Sequence, residues 1–423
     1  MSANCEHSSR SRRYGVLTFI SVILLAALVV AACTLLIVYT LGYIGNFNMN
    51  TNIGVLHIQS IAQYDNALHI YAKNISEGEV RISSSQSGSS RIYINNKNWT
   101  NYQAKPENIA RGEIGEIVIS GMDAAYIGKT TSIKIVTDGG DLLETSVKVI
   151  IDGTSDGIQS QPTNFAIIVL PDTQYYSESY PAIFDNQTRW IVEEAENMNI
   201  SFVSQEGDIV NNFSLLDEWV NANHSMSQLD GTVPWAVLPG NHDGLAVGTT
   251  YQNLFNYEKY FGDVNSYTLF HGGRDDYLAI NLQYNPNTSV LAWANSTIAA
   301  YSDRRVIVTT HDYLGVTGSR SSIGERIWRS FIAPHADQIF LVLCGHNHGE
   351  AYRSDVVKGH TVYQVLADYQ NIANGGNGWL RILEFHPAED KIYVETYSPC
   401  LKEYETEGSS QFTFTYDMTS LPP

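Results

Sequence analysis

The sequence predicts an α/β layered domain preceded by an all-β sandwich and one transmembrane helix. Three patterns in the 423 residues carry that expectation. An uncharged apolar run stands near the N-terminus, short β-branched runs fill the next hundred or so residues, and beyond about residue 164 strands alternate with helices. At ~100–200 residues per domain the length suits two or three folded units. Hydrophobic residues make up 43% of the chain and aromatics 11%, enough to bury real cores, which excludes global disorder. Four cysteines are too few for a disulfide scaffold.

The first element is the apolar run Val16–Leu41, 26 residues inside a longer stretch, Tyr14–Tyr64, that contains no Asp, Glu, Lys or Arg. A helix needs ~20 such residues to cross the hydrocarbon. Arg10, Arg12 and Arg13 stand only on its N-terminal side, so the positive-inside rule places residues 1–15 in the cytoplasm and the chain after the anchor, 16–44, outside. A trimmed leader stands beside the uncleaved anchor. Arg12-Arg13-Tyr14-Gly15 before a long apolar helix resembles the start of archaeal type IV pilin precursors, and Val30-Ala31-Ala32-Cys33 resembles a lipoprotein cleavage box. Eight N-x-S/T sequons, from Asn74 to Asn295, all follow this segment, so glycosylation is permitted there. Only Cys344 and Cys400 fall beyond it; they could pair, although Cys344 ends an apolar run and suits a buried thiol.

Residues 51–152 hold runs such as Leu68–Ala72, Arg91–Ile94, Glu116–Ile119, Ser132–Val136 and Thr145–Ile151, separated by turn residues. Short β-branched runs at that spacing, without a helical period, predict a β-sandwich. The stretch resembles the immunoglobulin-like domains of archaeal surface and pilus proteins. A polar, turn-rich linker, 153–163, follows.

Residues 164–423 carry 13 basic and 31 acidic residues, a net charge of −18 within a total of −19. Such a surface repels phosphate polyanions, so no nucleic acid polymer is expected as partner. Strands are predicted at Phe165–Leu170, Ile200–Gln205, Val233–Leu238, Tyr277–Leu282, Arg305–Thr310, Gln338–Leu343 and Thr361–Leu366, with a helix at Ala182–Asn197 between the first two. Five of the strands run directly into polar clusters. These are Asp172-Thr-Gln174, Gly207-Asp208, Gly240-Asn241-His242-Asp243, His311-Asp312 and Gly345-His346-Asn347-His348. Strand C-termini form the ligand crevice of an α/β sheet, so the clusters converge in space. Imidazoles with carboxylate and amide oxygens, and no thiolate, suit Mn, Fe or Zn. About seven ligands are too many for one ion and fit two divalent ions about 3.5–4 Å apart. Asp208 is the carboxylate placed to bridge them, and the glycines before Asp208, Asn241 and His346 let the backbone turn sharply off a strand.

This series, in this order, resembles the calcineurin-like metallophosphoesterases, from residue 165 to about 400. The resemblance implies a four-layered fold of two β-sheets flanked by helices. It implies Asp172, Gln174, Asp208 and His348 on one metal, and Asp208, Asn241, His311 and His346 on the other. His242 would be the histidine that protonates the leaving oxygen or steadies charge on phosphorus. The first motif departs from most members, which carry His where Gln174 stands; the Asp-Thr-Gln form resembles a secreted branch of the family. Asn211 stands where members often carry an acid that orients the catalytic histidine. The reaction implied is hydrolysis of a phosphate monoester or diester by metal-activated water, since no Ser or Cys nucleophile lies in the clusters. Asn211, Asn212, Tyr175 and Tyr369 are candidate substrate contacts. The other class of function is a cell-surface structural or adhesion protein carrying an inactive phosphoesterase-like head.

Overall fold

The computed structural model describes residues 55–84, 88–122, 125–149, 163–245 and 253–418. The basic tail, the apolar run and nearly all of the expected linker lie outside the described residues. Among the described residues no helix is long and apolar enough to cross a membrane.

The N-terminal region is all β. Its strands are β1 (Leu56–Tyr64), β2 (Ala67–Asn74), β3 (Val80–Arg81), β4 (Arg91–Ile94), β5 (Lys97–Trp99), β6 (Tyr102–Lys105), β7 (Asn108–Ile109), β8 (Ile114–Ser120), β9 (Thr130–Val136) and β10 (Leu142–Lys148). They form two four-stranded sheets, ordered β1-β2-β8-β6 and β10-β9-β4-β5, with β3 and β7 paired apart. Side chains alternate across a strand, so Ile117 and Ile119 of β8 meet Ile133 and Ile135 of β9 in one buried core with Leu68, Ile70, Ile92 and Ile94. Asn74, one of the sequons, is fully buried here. Its Nδ2 donates to the carbonyls of Gly78 and Ile109, which removes it as a glycan acceptor in the folded chain.

The remainder alternates strand and helix. Its strands are β11 (Phe165–Leu170), β12 (Ile200–Gln205), β13 (Trp235–Ala236), β14 (Ser266–Gly272), β15 (Asp275–Leu282), β16 (Arg305–Thr310), β17 (Ile339–Cys344), β18 (Gly349–Val357), β19 (His360–Asp368), β20 (Leu380–His386), β21 (Lys391–Ser398), β22 (Glu403–Glu405) and β23 (Phe412–Thr415). One sheet runs β13-β12-β11-β20-β21-β22, with β23 also on β21; the other runs β14-β15-β16-β17-β19-β18. The sheets pack face to face through Phe165, Ile167 and Val169 on one side and Ile307, Leu341 and Leu343 on the other. The intervening residues point outward to helices. Ala166, Ile168 and Leu170 meet α2 (Pro181–Glu194) and α3 (Leu216–Met226) through Phe184, Ile191 and Trp219. Val306, Val308 and Val342 meet α5 (Thr288–Ala300) through Leu291 and Ile298. Two short helices, α1 (Gln174–Ser179) and α4 (Phe255–Phe261), complete the first outer layer. Covered on both faces, β11, β16 and β17 are buried at every residue, which explains the unbroken apolar sequences of β11 and β17 and the Val306-Ile307-Val308 centre of β16.

The expected strand Val233–Leu238 contracts to β13 because Pro234 and Pro239 withhold ladder donors. The antiparallel strands β14, β18 and β20–β23 were not among the expected ones: each mixes charged or small residues into its apolar pattern. Cys344 and Cys400 are both free, and the buried Cys344 thiol donates to the Val365 carbonyl.

The two regions belong to one compact unit, Val55–Pro423. Tyr71 and Ile114 of the β region join the apolar cluster of Tyr267, Leu269 and Leu278. Ser60 Oγ donates to the Leu269 carbonyl of β14, and the Ile114 amide donates to the Tyr267 hydroxyl. At the centre of this seam the Tyr64 ring is stacked between His69 and His271, 3.7 Å from each. His69 Nδ1–H donates to Glu116 (2.8 Å) and His271 Nδ1–H to Asp276 (3.0 Å). Tyr71 also donates to Glu116, and Arg304 lies 3.7 Å from Asp276.

Candidate metal centre

Parallel strands deliver their C-termini to the same edge, and the expected clusters meet there. Asp172 follows β11, Asp208 follows β12, Asn241 and His242 follow β13, His311 follows β16, and His346 and His348 follow β17. Asp208 and His346 leave their strands at φ of 47° and 71°, in the left-handed region that non-glycine residues enter at a cost of order 1–3 kcal/mol. Only one of the neighbouring glycines acts as a turn. Gly207 has φ 94°, whereas Gly240 and Gly345 are needed for close approach. A Cβ on Gly240 would collide with Asp208 Oδ1, and one on Gly345 with Asp172 Oδ1.

His311 is fully buried at the centre. Its Nδ1 faces the Glu206 carbonyl at 2.9 Å, an acceptor, so Nδ1 carries the proton and Nε2 holds the lone pair of the neutral ring. Around Nε2 stand Asp208 Oδ2 at 3.2 Å, Asn241 Oδ1 at 3.1 Å and His346 Nδ1 at 3.2 Å. Asp208, His311 and His346 thus offer ligand atoms all within 4.8 Å of one another. Four such atoms around one point make a set suited to a cation. With only protons available, burial would lower the pKa of His311, but Asp208 and Asp172 outweigh it and hold it well above the usual range. Asp172 is driven upward by burial, by Asp368 and by Asp208.

On the other side of Asp172 the donor set has the same character. The Gln174 amide donates to Gln370 Oε1, while Gln370 Nε2 donates to Asp172 (3.3 Å) and Asp368 (3.1 Å). That leaves Gln174 Oε1 buried with no hydrogen-bond partner among the described residues. An orphaned buried amide oxygen costs about 1–3 kcal/mol, and a divalent cation is a partner that would remove the cost. His348, its side chain about half exposed at the rim, donates from Nδ1 to Asp368 (3.0 Å), which leaves Nε2 as its ligand atom. The residues present therefore fit divalent metal.

His242 is half-buried. Its backbone amide donates to Asp208 Oδ1 (2.8 Å), and its Nδ1–H donates to the backbone carbonyl of Asn211 (2.8 Å). The Asn211 side chain, expected to orient this ring, instead donates to Glu178 (2.7 Å). Asp243 accepts the amides of Ile209, Val210 and Gly240, holding the Asp208 loop; burial and the nearby Asp208 push its pKa up to about 7. Of the other expected contacts, Tyr175 is half-buried on α1, and exposed Asn212 accepts the Ser214 amide. Tyr369 turns inward, its hydroxyl on Glu350 (2.6 Å) and Thr396 (3.1 Å), so it has no face toward a substrate. The sequence reading missed Asp368 and Gln370, although β19 ends in Leu366-Ala367-Asp368 just as the other strands end in ligands. It also missed Tyr284, two residues past β15, whose ring packs 5.9 Å from His311 and 5.8 Å from His346.

Residues 165–350 match the family model described as calcineurin-like phosphoesterase. That stretch is a calcineurin-like phosphoesterase domain. It is the domain of metal-dependent phosphoester hydrolases, and β19–β23 extend its two sheets beyond the matched span. The chain is 34% identical over 305 residues to the uncharacterized protein YvnB of Bacillus subtilis (strain 168), covering 65% of this chain and 23% of that protein. The chain thus spans less than a quarter of that relative's length. Among solved structures, purple acid phosphatase PPD1 from yellow lupin (Lupinus luteus) aligns with a TM-score of 0.48 at 11% identity, over 87% of this chain and 76% of that one. The archaellum periplasmic stator protein FlaG of Sulfolobus acidocaldarius aligns with 22% of this chain and all of its own, with a TM-score of 0.19 at 16% identity.

Proposed function

We propose that this protein is a membrane-anchored, extracytoplasmic phosphoesterase that hydrolyses phosphate monoesters or diesters with two divalent cations, Mn, Fe or Zn. The observation that carries the reading is the convergence of Asp208, Asn241 and His346 on the lone pair of His311. Asp172, Gln174, Asp208 and His348 would hold one ion, and Asp208, Asn241, His311 and His346 the other. When bound, the ions supply Lewis acidity, activating water near neutral pH and offsetting the charge of the phosphate. The protein's own part is to fix those donors and to present His242 Nε2 for proton transfer to the leaving oxygen. Phosphate-ester substrate and a net charge of −18 are then compatible only through the cations.

The anchoring helix at 16–44 and the outward placement of the phosphoesterase domain rest on the apolar run and its flanking arginines. The β region, an immunoglobulin-like module in this reading, would hold the phosphoesterase domain at a fixed attitude, because the seam between them is packed and hydrogen-bonded. Metal analysis and ester hydrolysis by the full chain, alone and with Asp208→Ala or His346→Ala, test the enzymatic reading. Loss of metal and of hydrolysis in both variants is expected; undiminished hydrolysis in both overturns it. Protease shaving of intact cells tests the topology, and a fully protected phosphoesterase domain would refute it.

A further inference from the structure

The structure assigns a positioning role to Glu218 of α3: its buried carboxylate fixes the loop carbonyl that sets which nitrogen of His242 exchanges the proton. The inference rests on the phosphoesterase reading and goes beyond it. Glu218 is 3% exposed, and its Oε2 accepts two consecutive backbone amides, those of Asn211 and Asn212, each at 2.8 Å. With both amides tied to one oxygen, the Asn211–Asn212 peptide between them is held, and its carbonyl, that of Asn211, points at His242 Nδ1 from 2.8 Å. A carbonyl can only accept, so Nδ1 keeps its hydrogen in both charge states of the ring. Nε2 is then the nitrogen that gains and loses a proton. The other carboxylate oxygen, Oε1, is buried with no partner among the described residues, so the clamp uses a single oxygen. This arrangement replaces the acid that the sequence lacks at Asn211. A side chain seven residues further on acts through the backbone, while the Asn211 amide itself is turned to Glu178.

The proton balance is simple. The P–O bond to the alcohol breaks, the electron pair goes to the alcohol oxygen, and protonated His242 supplies the hydrogen from Nε2. Water attacking phosphorus regenerates the ring's proton. An alkoxide leaving group depends on that hydrogen; p-nitrophenolate, already stable as an anion, does not. The test compares an alkyl phosphate with p-nitrophenyl phosphate on the same full-length, metal-loaded preparation, so that misfolded protein cancels from the ratio of rates. Glu218→Ala should lower the alkyl-to-nitrophenyl ratio by about 10–100-fold, as expected when general-acid catalysis is impaired. Glu218→Gln, whose amide oxygen can still accept both amides, should restore the ratio. His242→Ala should show the same split, and adding Glu218→Ala to it should change the ratio little further, since the two residues act as one unit. Equal losses on both esters, or a Gln variant as impaired as the Ala variant, would overturn the assignment. No hydrolysis of either ester by the metal-loaded parent protein would instead sink the phosphoesterase reading itself.

Discussion

Two clusters of buried and half-buried histidines and carboxylates stand out among the described residues, and only one of them asks for a metal. At the seam, Glu116 faces His69 and two tyrosine hydroxyls, and Asp276 faces His271 and Arg304. Each carboxylate there has donors or a cation against it, and the pKa values of both are lowered: burial opposes this, but the histidine bonds and Arg304 prevail. At the strand ends the partners of His311 Nε2 are all lone pairs, Gln174 Oε1 has no donor, and burial pushes Asp172 and Glu206 well above the carboxylate range. Residue type does not separate the two sites. The presence or absence of a protein cation does.

The largest expected effect comes from taking the cation out of the seam. Arg304→Met takes the cation from half-buried Asp276, which keeps its His271 bond, and should cost about 2–3 kcal/mol in denaturant unfolding while bound metal is unchanged. Loss of metal without loss of stability would break the comparison. Next, Asp368→Ala removes the acceptor that holds His348 and should weaken metal affinity about 10–100-fold by competition with a chelator. An unchanged affinity would place His348 outside the donor set.

The smallest effect, and the one that sharpens the contrast, is in pH. Glu116 and Asp276 have lowered folded pKa values, so their stabilisation is present above the usual carboxylate range, ~4, and is lost as pH falls through the lowered values. Asp243, raised to about 7, works in the opposite sense: its share is present below ~4 and is lost as pH rises through about 7. The melting temperature of metal-free protein should therefore decline on both limbs. Glu116→Gln should flatten the acid limb alone, and Asp243→Asn the alkaline limb alone. One variant flattening both would mean that the two clusters are not independent.

The strand-end clusters were legible in the sequence because each is local: a strand followed within a few positions by polar residues, with a glycine before them in three of the five. The core strands β11, β16 and β17 were legible for the same reason. Asp368-Tyr369-Gln370 obeyed the same rule, with the same Asp-x-Gln spacing as Asp172-Thr173-Gln174, and went unread. The seam could not be read at all, since Tyr64 and His271 are more than 200 residues apart and each looks like an ordinary residue of a half-buried strand. The orientation of His242 was misread because it depends on a backbone carbonyl, which every residue carries. The amide at Asn211 was visible, and its real partner, Glu178, was not predictable from the spacing.

The close packing of Gly240 and Gly345 against Asp208 and Asp172 has a consequence for how this site can be lost. Positions with no side chain are where the smallest possible change, one methyl group, strikes a ligand carboxylate without entering the apolar core. A mutational scan that scores folded yield and metal content separately should find its sharpest divergence at Gly345, where the added methyl meets side-chain atoms and no backbone: well-folded protein, empty of metal. The chain is thus one conservative-looking alanine away from becoming a stable scaffold without chemistry.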